Sequence, residues 1–174
     1  MTEDKVDLKL AREEYEMTAE ELDEFLNARP RFASIASLRK TGSPIVDGIG
    51  FEWDGEYAYF SVRDTRALRK RLDRDQRVCL HVMNTEYPVR WARLEGVAEP
   101  IPDPGYERTL RIMRKYMAVE SEAQELDDFK VDEFAKAYVE FGRTLYRLRL
   151  TRLHSHDANK QSELYDLTTG RRRG

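Results

Sequence analysis

The sequence predicts a mainly β fold, an antiparallel barrel of six strands with appended helices. Six segments have the alternation or the composition of strands, and about four others have the periodicity of helices. The first three strands are joined by short turns rather than by long helical crossovers. Because short turns join antiparallel neighbours, these observations argue against a doubly wound parallel sheet.

Length and composition fit one globular domain. The chain has 174 residues, of which 40% are hydrophobic and 36% are charged, and its formal net charge is −3. This charge gives no support to a nucleic-acid partner, and no apolar stretch is long enough to span a membrane. Cys79 is the only cysteine, which excludes an internal disulfide and a cysteine-based zinc cluster. The N-terminus has no signal-peptide pattern, so a cytoplasmic location is expected.

The predicted organisation is one domain with two flanking segments. Residues 1–17 form an acidic extension, residues 18–157 form the barrel domain with a helical insert at 105–141, and residues 158–174 form a tail. Ten acidic and three basic residues at positions 1–26 give a local charge of −7. Such a charge run is typical of a solvated surface.

The first elements are a helix and a pair of strands. Thr18 and Glu21 form a capping box that begins the first helix, which ends before Pro30. The next two segments, 31–40 and 44–53, are rich in β-compatible residues and flank a turn that contains glycine. We expect them to form the first two strands.

A third strand follows a hairpin signal. Asp54 and Gly55 lie between apolar flanks, a pattern typical of tight hairpins. Residues 56–63 alternate in character, with Tyr57 and Tyr59 on one face and apolar residues on the other. This period of two predicts a strand with two unlike faces.

The remaining elements follow in order along the chain. A short helix is predicted from Thr65 to Arg74, with Asp64 as its N-cap. The other predicted elements are strands over 77–84 and 89–99, helices over 105–118 and 129–141, and a last strand over 143–153. Gly96 inside the fifth strand predicts a β-bulge or a close backbone contact.

The short helix after the third strand carries a basic face. Arg63, Arg66, Lys70 and Arg74 cluster opposite the leucine side of this segment. Guanidinium groups beside a helix N-terminus have the chemistry that binds phosphate. An ordinary amphipathic surface helix with solvated charges is the alternative interpretation.

Residues for acid–base or metal chemistry are sparse. His154 and His156 lie two positions apart near a strand end without a third ligand, so they are interpreted as exposed polar residues and no metal site is predicted. His81 lies in an apolar strand, where a core or interface role is favoured. Cys79 is interpreted as an inert buried thiol. No side chain is assigned as a catalytic acid, base or nucleophile.

Four segments carry a family resemblance. They are the strand pair 32–38 and 44–51, the turn and strand of 53–61, the helix-to-strand passage 68–78, and the strand segment 93–99. In this order and spacing they resemble the flavin-binding split-barrel superfamily, of the pyridoxamine 5′-phosphate oxidase-like kind. The sequence departs from that pattern at Leu68, Arg71 and Gln76, where the family commonly has Lys, Asn and Pro.

The resemblance implies a six-stranded antiparallel split barrel of the FMN-binding type and a flavin-dependent oxidoreductase. FMN would lie at a homodimer interface and exchange hydride with a small organic substrate, so the cofactor would carry the chemistry. The cofactor-binding residues that the resemblance implies are Arg63, Arg66 and Lys70 for the phosphate, Gly48, Ile49, Gly50 and Phe51 for one side of the ring, Val82, Met83 and Asn84 for the other side, and Trp91 from the second copy of the chain.

Two alternatives remain open at this point. The cofactor could be a deazaflavin (coenzyme F-420), because the insert between Gly105 and Phe141 resembles that branch of the superfamily. The chain could also be a non-enzymatic flavin or haem carrier, in which His81, His154 or His156 would bind iron.

Aromatic side chains on both faces of the strands favour a homodimer. Tyr57 and Tyr59 lie opposite Phe60 on the third strand, and Trp91 lies on a neighbouring strand. One small barrel interior does not need this much aromatic surface, so a second copy of the chain is expected to cover part of it. The helices of residues 105–141 are the alternative cover.

Overall fold

The computed structural model describes residues 15–28, 32–124, 128–160, 165–166 and 171–172. The helices are α1 (Ala19–Asn27), α2 (Ala67–Arg74), α3 (Glu107–Gln124) and α4 (Asp128–Val139). The strands are β1 (Phe32–Leu38), β2 (Pro44–Trp53), β3 (Ala58–Arg63), β4 (Arg77–Met83), β5 (Arg90–Ile101), β6 (Arg143–Asp157), β7 (Tyr165–Asp166) and β8 (Arg171–Arg172). No helix in the described ranges combines the length and the apolar character of a membrane span.

Strands β1 to β6 close into an antiparallel barrel. Within the described residues the strand order around the barrel is β1-β2-β3-β6-β5-β4, and β4 pairs back onto β1. The short strands β7 and β8 pair with each other outside the barrel. The predicted six-stranded antiparallel barrel with appended helices is therefore confirmed.

Alternate residues of the strands fill the barrel. Ala58, Phe60 and Val62 of β3 are fully buried and share one core with Tyr146 and Leu148 of β6. The rings of Phe60 and Tyr146 stack with their centroids 5.4 Å apart. The alternation in the third strand thus places its apolar face inside the barrel, as the period of two predicted.

Helix α1 begins at the predicted capping box. The Thr18 side chain accepts a hydrogen bond from the Glu21 backbone N–H (3.2 Å), and the Glu21 carboxylate accepts one from the Thr18 N–H (2.7 Å). The Met17 N–H donates to Ser155 Oγ (3.0 Å), and Met17 is buried in the barrel core with Leu22. The Asp157 N–H of β6 also donates to the Tyr15 carbonyl oxygen (2.8 Å), so the chain contacts the barrel from Tyr15, the first described residue, onward.

The start of α2 differs from the prediction. Arg66, not Asp64, is the N-cap residue, and it makes no side-chain capping hydrogen bond. Asp64 instead accepts a hydrogen bond from Thr144 Oγ1 (2.8 Å), and its backbone N–H donates to the carbonyl of Gly142 (3.1 Å). Bonds between the end of β3 and the start of β6 have replaced the local cap.

Strands β5 and β6 are longer than predicted. Strand β5 continues through Pro100, which lies opposite Tyr146, and β6 continues to Asp157, which lies opposite Arg90. The proline is tolerated because β4 pairs with β5 only as far as Val97, so the N–H that Pro100 lacks would have no β4 partner. As a result, His154 and His156 lie within a paired strand and not beyond its end.

The helical insert covers the outside of the barrel beside β3 and β6. Ile112 and Met113 of α3 and Ala135 of α4 form a second buried cluster with Tyr59 and Leu145. The partly buried ring of Tyr57 packs against the same cluster. The insert therefore buries the tyrosine face of the third strand, which is the alternative cover expected from the sequence, and Tyr57 and Tyr59 give no argument for a second copy of the chain.

Gly96 lies at a β-bulge where β5 and β6 approach closely. The pairing register shifts between Glu95 and Gly96, which confirms the predicted irregularity. A Cβ added at Gly96 would lie 2.1 Å from the backbone carbonyl oxygen of Arg149. A side chain at this position must push the two strands apart.

We expect the substitution Gly96→Ala to lower the free energy of unfolding by about 1–3 kcal/mol, because the new methyl group overpacks the β5–β6 contact. Urea unfolding followed by circular dichroism measures the change. Gly48→Ala is the matched control, since a Cβ at Gly48 meets no heavy atom within 4 Å. Equal stability of the two variants would contradict the close approach.

Candidate anion-binding site

A cavity of about 220 Å³ lies between strand β2, the start of α2 and the helical insert. Five residues proposed from the sequence line it together: Gly48, Ile49, Gly50, Arg63 and Arg66. The other lining residues are Ser61, Met113, Tyr116, Tyr138 and Arg143. The cavity thus combines a glycine-containing strand with three guanidinium groups.

Strand pairing brings two of the three arginines together. Arg63 is the last residue of β3 and Arg143 is the first residue of β6, and the two are direct partners in the antiparallel register. Arg66 follows three residues later as the N-cap of α2. The sharp turn from β3 into α2 therefore brings a third cation to the same cavity.

Arg143 is a cation held in place by polar groups without a carboxylate. Its Nε donates to Ser61 Oγ (2.8 Å) and its Nη2 donates to the Ser61 carbonyl oxygen (2.8 Å). Burial, reinforced by the positive charges of Arg63 and Arg66, lowers the pKa of the Arg143 guanidinium to about 10. An anion in the cavity would relieve this repulsion.

Arg66 shares its nearest carboxylate with another arginine. Arg66 Nη2 lies 3.7 Å from Asp47 Oδ1, and 43% of the Arg66 side chain is exposed. Arg71 is buried, forms a close ion pair with Asp47 through Oδ2 and donates to Ser37 Oγ (2.9 Å). Asp47 therefore mainly compensates the buried Arg71, and the charge of Arg66 is left largely available to a ligand.

The two glycines of β2 have different surroundings. A Cβ at Gly50 would lie 2.6 Å from the Tyr116 ring, so only glycine lets this ring of α3 pack against the strand. Tyr116 also packs edge-on against Phe32, with ring centroids 3.9 Å apart. Gly48 has no heavy atom within 4 Å of a Cβ, so the backbone there is open to a planar ligand.

Four of the residues proposed from the sequence do not line the cavity that one chain forms. Lys70 is exposed on α2. Phe51 and Val82 are buried inside the barrel core. Met83 is 47% exposed at the end of β4. The arginines around the cavity are thus better supported as phosphate ligands than Lys70.

Asn84 and Trp91 also lie away from this cavity. Asn84 Nδ2 donates to the carbonyl oxygens of Glu86 (3.0 Å) and Pro88 (2.9 Å), so it braces the loop between β4 and β5. The Trp91 ring stacks on His156, with centroids 5.8 Å apart and an angle of 15° between the rings. In one chain both side chains have structural partners of their own.

The three histidines lie on the outer face of the barrel. The ring of His81 lies 6.0 Å from that of Trp91, which also contacts His156. Within the described residues, no group of three His, Cys, Asp or Glu side chains is arranged to hold a metal ion. Cys79 is half-buried and not fully buried as expected, and this partial burial raises the pKa of its thiol, which favours the protonated form.

Sequence reasoning missed Ser61 and Arg143. Their contact joins residues 82 positions apart, and it depends on the register of β3 against β6. The one available signal was that Arg143 begins the last strand, as Arg63 ends the third. Without the register, nothing in the sequence connects these two strand ends.

The comparisons with known proteins define the family. Residues 18–155 match the family model of pyridoxamine 5′-phosphate oxidase, so the chain belongs to this family. The resemblance noted from the sequence is thereby confirmed. Among curated protein sequences, none matches this chain.

Solved structures share the fold at low sequence identity. A conserved hypothetical protein from Mycobacterium tuberculosis is 21% identical and has a TM-score of 0.68, with 87% of this chain and 91% of that chain covered. An F-420 reductase is 24% identical, with a TM-score of 0.53 and coverage of 75% and 94%. An FAD-binding protein from Mesorhizobium loti is 15% identical, with a TM-score of 0.54 and coverage of 81% and 95%.

We expect inorganic phosphate to raise the melting temperature of the protein more than chloride at equal ionic strength. The substitution Arg143→Gln should raise the phosphate concentration at the midpoint of this effect about tenfold, because one charge-assisted contact is lost. Differential scanning fluorimetry over a phosphate titration measures the midpoint.

Arg152→Gln is the matched control for this titration, because Arg152 is an exposed arginine on the same strand, β6, and does not line the cavity. If both variants respond to phosphate as the unmodified protein does, the cavity is not the anion site.

Proposed function

We propose that this chain is an oxidoreductase that binds FMN at a homodimer interface and exchanges hydride with a small organic substrate. The observation that carries the proposal is the convergence of Arg63, Arg66 and Arg143 beside the open backbone of Gly48. The family and the split-barrel fold give this arrangement its context.

The charges around the cavity fit a phosphate group. Three guanidinium groups line the cavity, and the two carboxylates nearby have partners of their own. Asp47 is paired with Arg71, and Asp64 accepts a hydrogen bond from Thr144 and lies 3.7 Å from Arg69 Nε. Burial lowers the pKa of Arg143, and the positive charges of Arg63 and Arg66 lower it further. Arginine forks form paired hydrogen bonds with phosphate oxygens, so a ligand that ends in a phosphate satisfies the site.

The strand beside the arginines fits a planar ring. Gly48 exposes its backbone, and Ile49 and Gly50 continue the same wall of the cavity. Tyr116 and Tyr138 of the insert face this wall across the cavity. When bound, FMN supplies the hydride-transfer chemistry. The chain would hold the phosphate, orient the ring against the strand and exclude water with the tyrosines.

A second copy of the chain would complete this site. The cavity of one chain measures about 220 Å³, whereas small-molecule sites typically measure roughly 300–1,000 Å³. Val46, two residues before Gly48 on β2, leaves 62% of its apolar side chain exposed. Covering this strand with a second copy would enlarge the pocket, and the family resemblance implies that Trp91 of that copy would stack on the ring.

We expect the unmodified protein to be a dimer in solution, with twice the chain mass of 20.5 kDa. The variant Val46→Glu should be a monomer. The introduced carboxylate would be buried without a partner, which opposes association. Sedimentation velocity over a range of concentrations measures the mass. A monomeric unmodified protein at every concentration would contradict the homodimer.

A deazaflavin (coenzyme F-420) is the second candidate cofactor. The observation that favours it is the shared fold with a protein named as an F-420 reductase, which is 24% identical. Its phosphate would use the same arginines. The three histidines do not line the cavity, so a haem carrier is not proposed.

Titration of the protein with FMN, riboflavin and coenzyme F-420, followed by fluorescence, tests the proposal. We expect phosphate-bearing ligands to bind more tightly than riboflavin. Arg66→Ala should weaken FMN binding about tenfold, because a charge-assisted hydrogen bond contributes about 1.5–3 kcal/mol. Riboflavin binding should change little.

Lys70→Ala is the matched control for Arg66→Ala, since Lys70 belongs to the same helix and does not line the cavity. Equal losses of FMN and riboflavin binding in Arg66→Ala would contradict the assignment of this residue to the phosphate. The tighter of FMN and coenzyme F-420 identifies the cofactor.

A further inference from the structure

In the described ranges, aromatic rings, and not polar groups, contact the guanidinium group of Arg63, which distinguishes it from the other two arginines of the cavity. Its guanidinium carbon lies 4.7 Å from the ring centroid of Phe141 and 5.8 Å from that of Tyr138. Arg66 lies near a carboxylate and Arg143 is bonded to a serine. Within the described part of the chain, no carboxylate forms an ion pair with Arg63.

The turn between α4 and β6 determines where Phe141 lies. Gly142 has a φ of +71°, which side-chain-bearing residues rarely adopt, and a Cβ there would lie 2.8 Å from Asp64 Oδ2. The Gly142 carbonyl accepts a hydrogen bond from the Asp64 N–H (3.1 Å). This bond ties the turn to the residue after Arg63, so the ring of Phe141 is held beside that arginine.

The exposure of Phe141 is not explained by packing. Its side chain is 62% exposed, and it belongs to neither buried cluster of the described residues. A large apolar ring in water adds little to folding stability. Among the described residues, its one specific interaction is the close contact with the guanidinium group of Arg63.

We infer that Phe141, assisted by Tyr138, is a positioning residue that holds Arg63 for an anionic ligand without neutralising its charge. The inference rests on the proposed function, because the ligand must carry a phosphate. A carboxylate could hold Arg63 equally firmly, but it would occupy the N–H donors and compete with the ligand. Aromatic rings attract the flat face of a guanidinium group and leave its edge free to donate.

The helical insert then takes part in ligand binding as well as in folding. Tyr138 comes from α4, and Phe141 lies just after the helix ends. Both rings act through Arg63 on the affinity for phosphate. The insert therefore sets how strongly the site distinguishes a phosphorylated ligand from its dephosphorylated form.

The substitution Phe141→Leu tests this inference, because leucine keeps an apolar side chain and removes the π face. We expect the phosphate midpoint in differential scanning fluorimetry and the dissociation constant for FMN to rise about two- to fivefold, the effect of an exposed cation–π contact. Riboflavin binding should stay unchanged. In contrast to Phe141→Leu, the substitution Phe141→Trp should keep the phosphate affinity of the unmodified protein, because tryptophan offers the stronger π face.

Phe134→Leu is the matched control, since Phe134 is 49% exposed on α4 and makes no described contact with Arg63. Unchanged phosphate and FMN binding in Phe141→Leu would overturn the positioning role while leaving the proposed function intact. Equal losses for FMN and riboflavin would also overturn it, because the residue would then act on the ring. If the unmodified protein binds neither phosphate nor FMN, the proposed function and this inference both fail.

Discussion

The repulsion among Arg63, Arg66 and Arg143 is the constraint around which the candidate site is built. Three guanidinium groups are held at one cavity with little negative charge to balance them. Such an arrangement is electrostatically unfavourable, and the charges of Arg63 and Arg66 add to the effect of burial in lowering the pKa of Arg143. The closed barrel provides the rigid support, since its β3–β6 pairing holds two of the three cations in place.

The neighbouring ion pairs keep this excess of charge local. On and around α2, Arg71 is paired with Asp47, Arg69 with Asp73, and Arg77 with Asp75. These pairs compensate the arginines that serve the fold, while the cavity arginines are held by a serine, by aromatic rings and by a shared carboxylate. A chain with a net charge of −3 can therefore carry a strongly positive pocket.

The helical insert has a double role in this structure. It buries the tyrosine face of β3 through Ile112 and Met113, with the guanidinium of Arg108 3.6 Å from the ring centroid of Tyr59. It also contributes Tyr116 and Tyr138 to the cavity wall. Since the same helices stabilise the barrel and line the cavity, a change in their packing would alter both the stability of the barrel and the shape of the cavity.

The sequence by itself determined the elements and part of the site. Capping at Thr18, the hairpin at Asp54 and the alternation of β3 are local patterns, so they predicted the barrel correctly. Local order also placed Arg63 and Arg66 beside a helix start, and the family resemblance pointed to the glycines of β2. These features depend on residues that are close together along the chain.

Only the tertiary structure decided which residues line the cavity and which residue begins α2, because both depend on long-range packing. The register of β3 against β6 brought Arg143 and Ser61 to the cavity, and burial of Leu68 and Leu72 turned Lys70 away from it. Bonding to β6 removed Asp64 from its expected cap. The physical reason is that contacts between residues many positions apart depend on strand pairing and on helix orientation, which no short sequence pattern encodes.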